Sequence, residues 1–255
     1  MLIGAETTLR SVSDERFGDA PTTGRVVTVG RHVGLGDAGP DGRLRLDALA
    51  RFVQDVADHD AATADVGGTG VWVLRRALLR IARTPRFRSD LVLRTWCSGV
   101  GPRWAERRTD VEVDGRRAVA AEALWVYVDP ERGVPIPLPP GFDERWGVSA
   151  RGRLVSARLR HPGPPAAATC TRWTLRAVDL DVLGHVNNAA YWAPVEEELA
   201  RRGRPRVTHA EIEFRAGLDA GEIVDIALAD VERGFACWLS VDGEVRASAL
   251  VGCEG

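Results

Sequence analysis

The chain has 255 residues, room for one large domain or two small ones with a sizeable core. Its 34 basic and 36 acidic side chains nearly cancel, so bulk charge gives no support to nucleic acid or a membrane as partner. Every basic residue is arginine, which excludes lysine Schiff-base chemistry.

Residues 1–24 hold no apolar run of signal-peptide length and carry acids early, so they read as a loosely ordered tail of a cytoplasmic protein, and no transmembrane stretch follows. In "RLDALARFVQDVADHDAA" Leu46, Leu49, Val53 and Val56 fall at helical spacing, with Asp47 placed to cap the start. The run "RRALLRIARTPRFR" (75–88) reads as a strand whose Arg76, Arg80, Arg86 and Arg88 form either a solvated face or a basic docking face. Alternating segments between 86 and 129 flank a "VDG" turn at Val113–Gly115, and Asp-Gly between such segments is a strong hairpin signal. Residues 129–169 are proline-rich and read as a crossover, partly extended.

"NAAYWAPVEEELARRG" sets Tyr191, Val195 and Leu199 on one helical stripe that ends in arginines and Gly203; Pro194 demands a kink or a start later than Asn188. "AEIEFRA" turns Ile212 and Phe214 one way and Glu211, Glu213 and Arg215 the other. Phe235, Cys237, Leu239 and Val241 line one face of a later strand, which ends in a second "VDG" at Val241–Gly243. Cys97, Cys170, Cys237 and Cys253 show no CxxC spacing, which fits small core residues in a reducing compartment rather than zinc or disulfides.

Residues 86–129 and 218–253 share one plan: an acid-bearing turn (Asp90, Glu222), two strands, the VDG turn and a final strand. With a helix ahead of each sheet, the chain is α+β, two copies of one helix followed by curled antiparallel sheet. Opening the second copy, "DLDVLGHVNNAAYW" (179–192) crowds Asp179, Asp181, Gly184, His185, Asn187 and Asn188 just ahead of Tyr191 and Trp192. Turn formation accounts for Asp179. An Asp-Asp-His metal site finds no further ligand cluster nearby, and His32, His59 and His209 read as structural.

With that cluster, and with "GRLRLDALARFVQDVADHDA", "GVWVLRRALLRIARTPRFRSDLVLRTWCSG" and "RRAVAAEALWVYVDPERGVPIPLPPGF" in the first half, the chain resembles the acyl-acyl carrier protein thioesterases over roughly residues 25–253. The resemblance implies a tandem (double) hotdog, each a curved antiparallel sheet wrapped around one long helix. It divides the chain into a tail (1–24), an N-terminal hotdog (25–145), a linker (146–168) and a C-terminal hotdog (169–255) carrying the catalytic loop. It further implies hydrolysis of fatty acyl thioesters borne on acyl carrier protein, without metal or organic cofactor, at one site per chain, and it leaves room for a homodimer. Two positions depart from the plant members: Leu183 stands where they carry an asparagine, and Gly217 or a neighbour where they carry a glutamate.

Thioester hydrolysis needs a water or carboxylate to attack the carbonyl carbon and donors aimed at the oxyanion. Asp181, ionised at neutral pH, can orient water or attack directly. His185 can polarise the carbonyl or move a proton. The amides that open the following helix, with Asn187 and Asn188, can donate to the carbonyl, Gly184 permits a positive φ or close backbone approach, and Tyr191 is a candidate substrate contact. Arg76 and Arg80 are candidates for holding an acidic carrier and its phosphate, and Trp72, Trp96 and Trp125 for walling an acyl tunnel. A coenzyme A thioesterase, a non-catalytic acyl-binding module and a hydratase remain as rivals.

Overall fold

The computed structural model describes residues 18–64 and 66–254, so most of the expected tail lies outside the described residues. Ten strands run in chain order as β1 (Val27–His32), β2 (Val71–Ile81), β3 (Asp90–Val100), β4 (Trp104–Val113), β5 (Arg116–Val128), β6 (Thr169–Trp173), β7 (Val207–Phe214), β8 (Val224–Val231), β9 (Gly234–Val241) and β10 (Glu244–Cys253). They form one sheet in the order β1-β3-β4-β5-β2-β7-β10-β9-β8-β6. Read inward from either edge, each half lays down its strands in the same order, first, third, fourth, fifth and second. The duplication seen in the sequence is therefore a duplication of topology, joined where β2 and β7 pair antiparallel from Arg76 opposite Glu213 to Arg80 opposite His209. Each half carries its helix between its first and second strands, which makes the whole a double hotdog.

Both VDG turns behave as the dipeptide requires. Asp114 and Gly115 have φ of 53° and 69°, and Asp242 and Gly243 have 50° and 80°, the two left-handed residues of a tight hairpin. Helix α1 (Leu46–Ala64) buries Leu46, Leu49, Val53 and Val56 as one stripe, each such side chain contributing about 1.5–3 kcal/mol. Asp47 is not its cap: the Asp47 carboxylate takes the Arg45 guanidinium at 2.8 and 3.1 Å. The Leu46 N–H donates instead to Glu196 Oε1 at 2.6 Å, from the helix of the other half. That second helix opens as a 3-10 turn, Ala190–Trp192, before the α-helix Ala193–Arg201, and Pro194 sits in its first turn, where it removes no intrahelical bond.

The proline-rich crossover is folded at its start and stapled at its end. Asp143–Gly147 and α2 (Val148–Ala150) are helical turns, and Phe142 and Trp146 pack into a small core with Ala64 and Cys97. The chain then crosses the sheet face turned away from the helices. Val155 N–H bonds Val100 O at 3.0 Å, Arg160 and His161 N–H both reach the Glu213 carboxylate at 2.6 and 3.0 Å, and Trp238 Nε1 donates to Pro162 O at 2.8 Å. The polar side of β7 is thus covered rather than solvated, and Glu213 is fully buried. Cys97 and Cys237 are core residues as expected, whereas Cys170 is exposed and Cys253 only partly covered, and all four are free thiols.

Candidate active site

The loop ahead of the second helix is built by its own hydrogen bonds. The Asp179 carboxylate accepts the Arg176 N–H at 2.8 Å and its guanidinium at 2.7 and 3.1 Å. Burial opposes ionisation of that carboxyl, but the Arg176 contacts outweigh it and hold its pKa below the usual range. Asp179 is a turn former, as its position indicated. Its carbonyl accepts Asn187 N–H at 2.8 Å, and Val186 N–H bonds Leu218 O at 2.9 Å. Between them residues 181–185 make a tight reversal: Asp181 N–H bonds His185 O at 2.9 Å and Gly184 N–H bonds Asp181 O at 3.0 Å. Gly184 has φ of 81°, the left-handed geometry that suits glycine there.

This reversal presents Asp181, Val182, Leu183, Asn187 and Asn188 to a cavity of about 840 Å³. The rest of the cavity belongs to the first half. Gln54, Asp58 and Ala61 line it from α1, and Trp72, Cys97, Trp125, Phe142 and Trp146 wall it below. The aromatic floor is continuous: Phe142 lies 5.9 Å from Trp72 and 5.2 Å from Trp146 between ring centroids. Buried Asp60 anchors it, accepting Trp146 Nε1 at 2.8 Å and pairing with Arg25 and Arg107. Burial pushes the Cys97 thiol up to about 11, so this cavity cysteine is protonated near neutral pH and is no nucleophile.

The structure brings Asp181, Asn187 and Asn188 together and separates the other candidates from them. Asp181 Oδ1 accepts Leu183 N–H at 2.9 Å, and Asn187 Oδ1 accepts Ala189 N–H at 2.9 Å. The second bond fixes the orientation of the Asn187 amide, leaving its NH₂ as the free end. His185 is exposed and bonds Asp219 through Nδ1, outside the cavity lining. Tyr191 is buried edge-on to Phe214, and its hydroxyl accepts Leu218 N–H at 2.8 Å, so it packs beneath the loop rather than meeting a ligand. Arg76 and Arg80 lie on the covered sheet face. Arg76 sits 3.7 Å from Glu211 and donates to Arg158 O at 3.5 Å, and Arg80 occupies the register position opposite His209. That location withdraws both from carrier docking at the cavity. Trp96 is on the same outer side, under the Arg108 guanidinium at 5.5 Å.

Most of the expected backbone oxyanion donors are engaged within the loop, and Asn188 N–H, at the cavity, is the one left to a ligand. The N–H groups of Val186, Asn187 and Ala190 are accepted by Leu218, Asp179 and Asn187 carbonyls. Gln54, Phe142, Trp146 and Asp219 carried no sequence signal of their own. Three could be found only through contacts across the fold, and Gln54 sits on a polar helix face that reads as solvated. Among the described residues, His161, Glu211 and Glu213 are grouped closely enough to suggest metal ligands. Arg215 stands 3.8 Å from Glu213, whose oxygens already take two backbone N–H groups, so the group clamps the crossover.

A double hotdog whose second-half loop sets a carboxylate and two amides on an aromatic-walled cavity of the first half is the architecture of a thioester hydrolase acting on fatty acyl groups. Family models for the acyl-ACP thioesterase N-terminal domain and C-terminal domain match residues 28–144 and 164–248, and the chain belongs to that family. It is 28% identical over 239 residues to an uncharacterized protein of Mycobacterium tuberculosis strain H37Rv, covering 91% of this chain and 94% of that one. Among solved structures it is similar to the 12:0-ACP thioesterase from Umbellularia californica, at a TM-score of 0.78 and 18% identity over 93% of this chain and 99% of that one. A putative oleoyl thioesterase from Lactobacillus plantarum gives a TM-score of 0.77 at 16% identity, over 90% and 96%. At such identities the two structures speak for the fold.

Proposed function

We propose that the chain releases fatty acid from acyl carrier protein, with Asp181 as the group that activates water. One observation carries this reading: the Asp181 carboxylate shares a cavity with Asn187, Asn188 and the aromatic acyl floor of the other half. With Oδ1 engaged by the Leu183 N–H, Oδ2 is the oxygen available to a water. A water that yields its proton to Asp181 attacks the carbonyl carbon. The Asn187 NH₂ group supports the developing oxyanion, the C–S bond breaks, and the proton passes to the departing sulfur. The His185–Asp219 pair acts outside this line, holding the reversal against the loop that follows β7. Leu183, exposed on the lip where the plant pattern has an asparagine, adds apolar contact and no hydrogen bond. A cytoplasmic setting agrees with the four free thiols, and among the described residues no helix is long and apolar enough to cross a membrane.

The test is a panel of acyl carrier protein thioesters of graded chain length against matched coenzyme A thioesters. The reading predicts higher kcat/KM on the protein carrier. Equal or better turnover of coenzyme A thioesters would transfer the function to that carrier, and tight acyl binding without turnover would make the protein a binding module.

A further inference from the structure

We infer that Gln54, on α1 of the first half, donates a hydrogen bond to the thioester carbonyl oxygen and to the oxyanion that oxygen becomes. The inference rests on the thioesterase reading above and adds a catalytic residue to it. Its starting point is where the loop's own donors go. The N–H groups of Gly184, Val186, Asn187, Ala189 and Ala190 are all accepted by oxygens of the protein. Asn188 N–H, at the cavity, is not among them, so the loop offers a carbonyl oxygen that one backbone donor and its side-chain amides, of which Asn187 is oriented with its NH₂ end free. Oxyanion sites work through donors held in place before charge develops, and removal of one such donor typically costs about 10²–10³ in rate.

Gln54 is the carboxamide that α1 contributes to the cavity lined by Asp181, Asn187 and Asn188. Its backbone is fixed at both ends of the helix. Leu46 N–H is tied to Glu196 of the second half, and Asp60 is held by Trp146 Nε1 and two arginines. Its neighbours Val53, Val56 and Ala57 are buried. Only the side-chain rotamer needs setting, the arrangement that suits a donor on a rigid element. A carboxamide also donates without a charge, so it neither competes with Asp181 for a proton nor retains the carboxylate product as a guanidinium would.

In the reaction, water gives its proton to Asp181 as its oxygen bonds the carbonyl carbon. The carbonyl π pair moves to oxygen, where the Gln54 and Asn187 N–H groups hold it. When that pair returns, the C–S pair leaves with sulfur, which takes the proton back from Asp181. The products are the acid and the thiol, and both amides are unchanged.

The experiment is steady-state kinetics of the full chain on an acyl carrier protein thioester, with thermal melting of each variant. Gln54→Leu, close in size and a good helix former, is expected to lower kcat about 10²-fold with KM and Tm near wild type and the pH profile unaltered in shape. Gln54→Glu keeps the shape but loses the donor at neutral pH, so its kcat should fall at least as far, and its ratio to wild type at the same pH should rise as pH drops into the carboxylate range. A Gln54→Leu kcat within threefold of wild type overturns the inference, as does a loss that tracks a fall in Tm. Both outcomes leave the thioesterase reading standing if wild type turns over. A wild type inactive on both carriers removes the parent reading and this one together.

Discussion

The two halves share one topology and differ in what lies beneath their helices. Under the 19-residue α1 is a cavity of about 840 Å³; under the nine-residue second helix the corresponding hollow is about 40 Å³. At about 1.5 Å per residue the first helix is roughly twice as long as the second, and it lines its hollow with small side chains, Ala57 and Ala61. Each hollow is roofed by the loop of the opposite half. The first-half loop closes its hollow with ions: Glu196 binds Leu46 N–H and stands 3.7 Å from Arg204, whose carbonyl accepts Arg43 Nη1 at 3.2 Å. The second-half loop instead leaves Asp181, Asn187 and Asn188 facing open space. A duplicated fold offers two such hollows, and here one has been filled for cohesion while the other has been kept open for a ligand.

The strongest way to break this comparison is to exchange carboxylates in the two loops. Asp181→Asn should lower kcat about 10³-fold or more while the melting temperature holds. Asp37→Asn, in the first-half loop where the carboxylate takes Gly34 N–H and the Arg51 guanidinium, should leave turnover within a few-fold of wild type. Equal kinetic losses in the two variants would dissolve the distinction between a catalytic loop and a structural one.

Next in size are substitutions under the helices. Leu199→Ala enlarges the filled hollow and should cost about 2–5 kcal/mol of stability, read by denaturant unfolding, with chain-length preference unchanged. Ala61→Phe narrows the open one, and its effect should appear in catalysis rather than stability. We expect about a tenfold or greater loss of kcat/KM on the longest acyl chains tolerated by wild type, and little loss on short ones. A uniform loss across chain lengths would place the acyl group elsewhere.

Local chemistry made much of this readable from sequence. The stripes Leu46–Leu49–Val53–Val56 and Tyr191–Val195–Leu199, the two Asp-Gly turns and the repeat all depend on near neighbours, and so does the packing of polar groups between Asp179 and Asn188. What eluded the sequence depends on distant partners. His185 turns to Asp219, 34 residues on. Glu213, Arg76 and Arg80 look solvent-facing by alternation, yet the crossover covers their face. Phe142 and Trp146 sit in a proline-rich stretch and become cavity wall only because Ala64 and Cys97 receive them. The helix cap supplied by Glu196 comes from 150 residues away, beyond the reach of any local capping pattern.

The outer face gives the smallest test and the finest contrast. Beneath the crossover, the second half holds Glu213 between two backbone N–H groups and close to Arg215. In the first half Glu122 is treated differently: burial, reinforced by neighbouring Glu106, raises its pKa to about 7 despite Arg153, Arg108 and Arg80 nearby. A carboxyl whose folded pKa lies above the 4.5 of its free state binds its proton more tightly when folded, so its contribution to stability is complete below that value and is lost as pH rises through about 7. Glu122→Gln keeps the protonated form's hydrogen-bonding shape and should remove that loss. Relative to wild type, the variant should melt at the same temperature near pH 4 and several degrees higher at pH 8. A gap that stays constant across this range would mean that the arginines keep Glu122 ionised throughout.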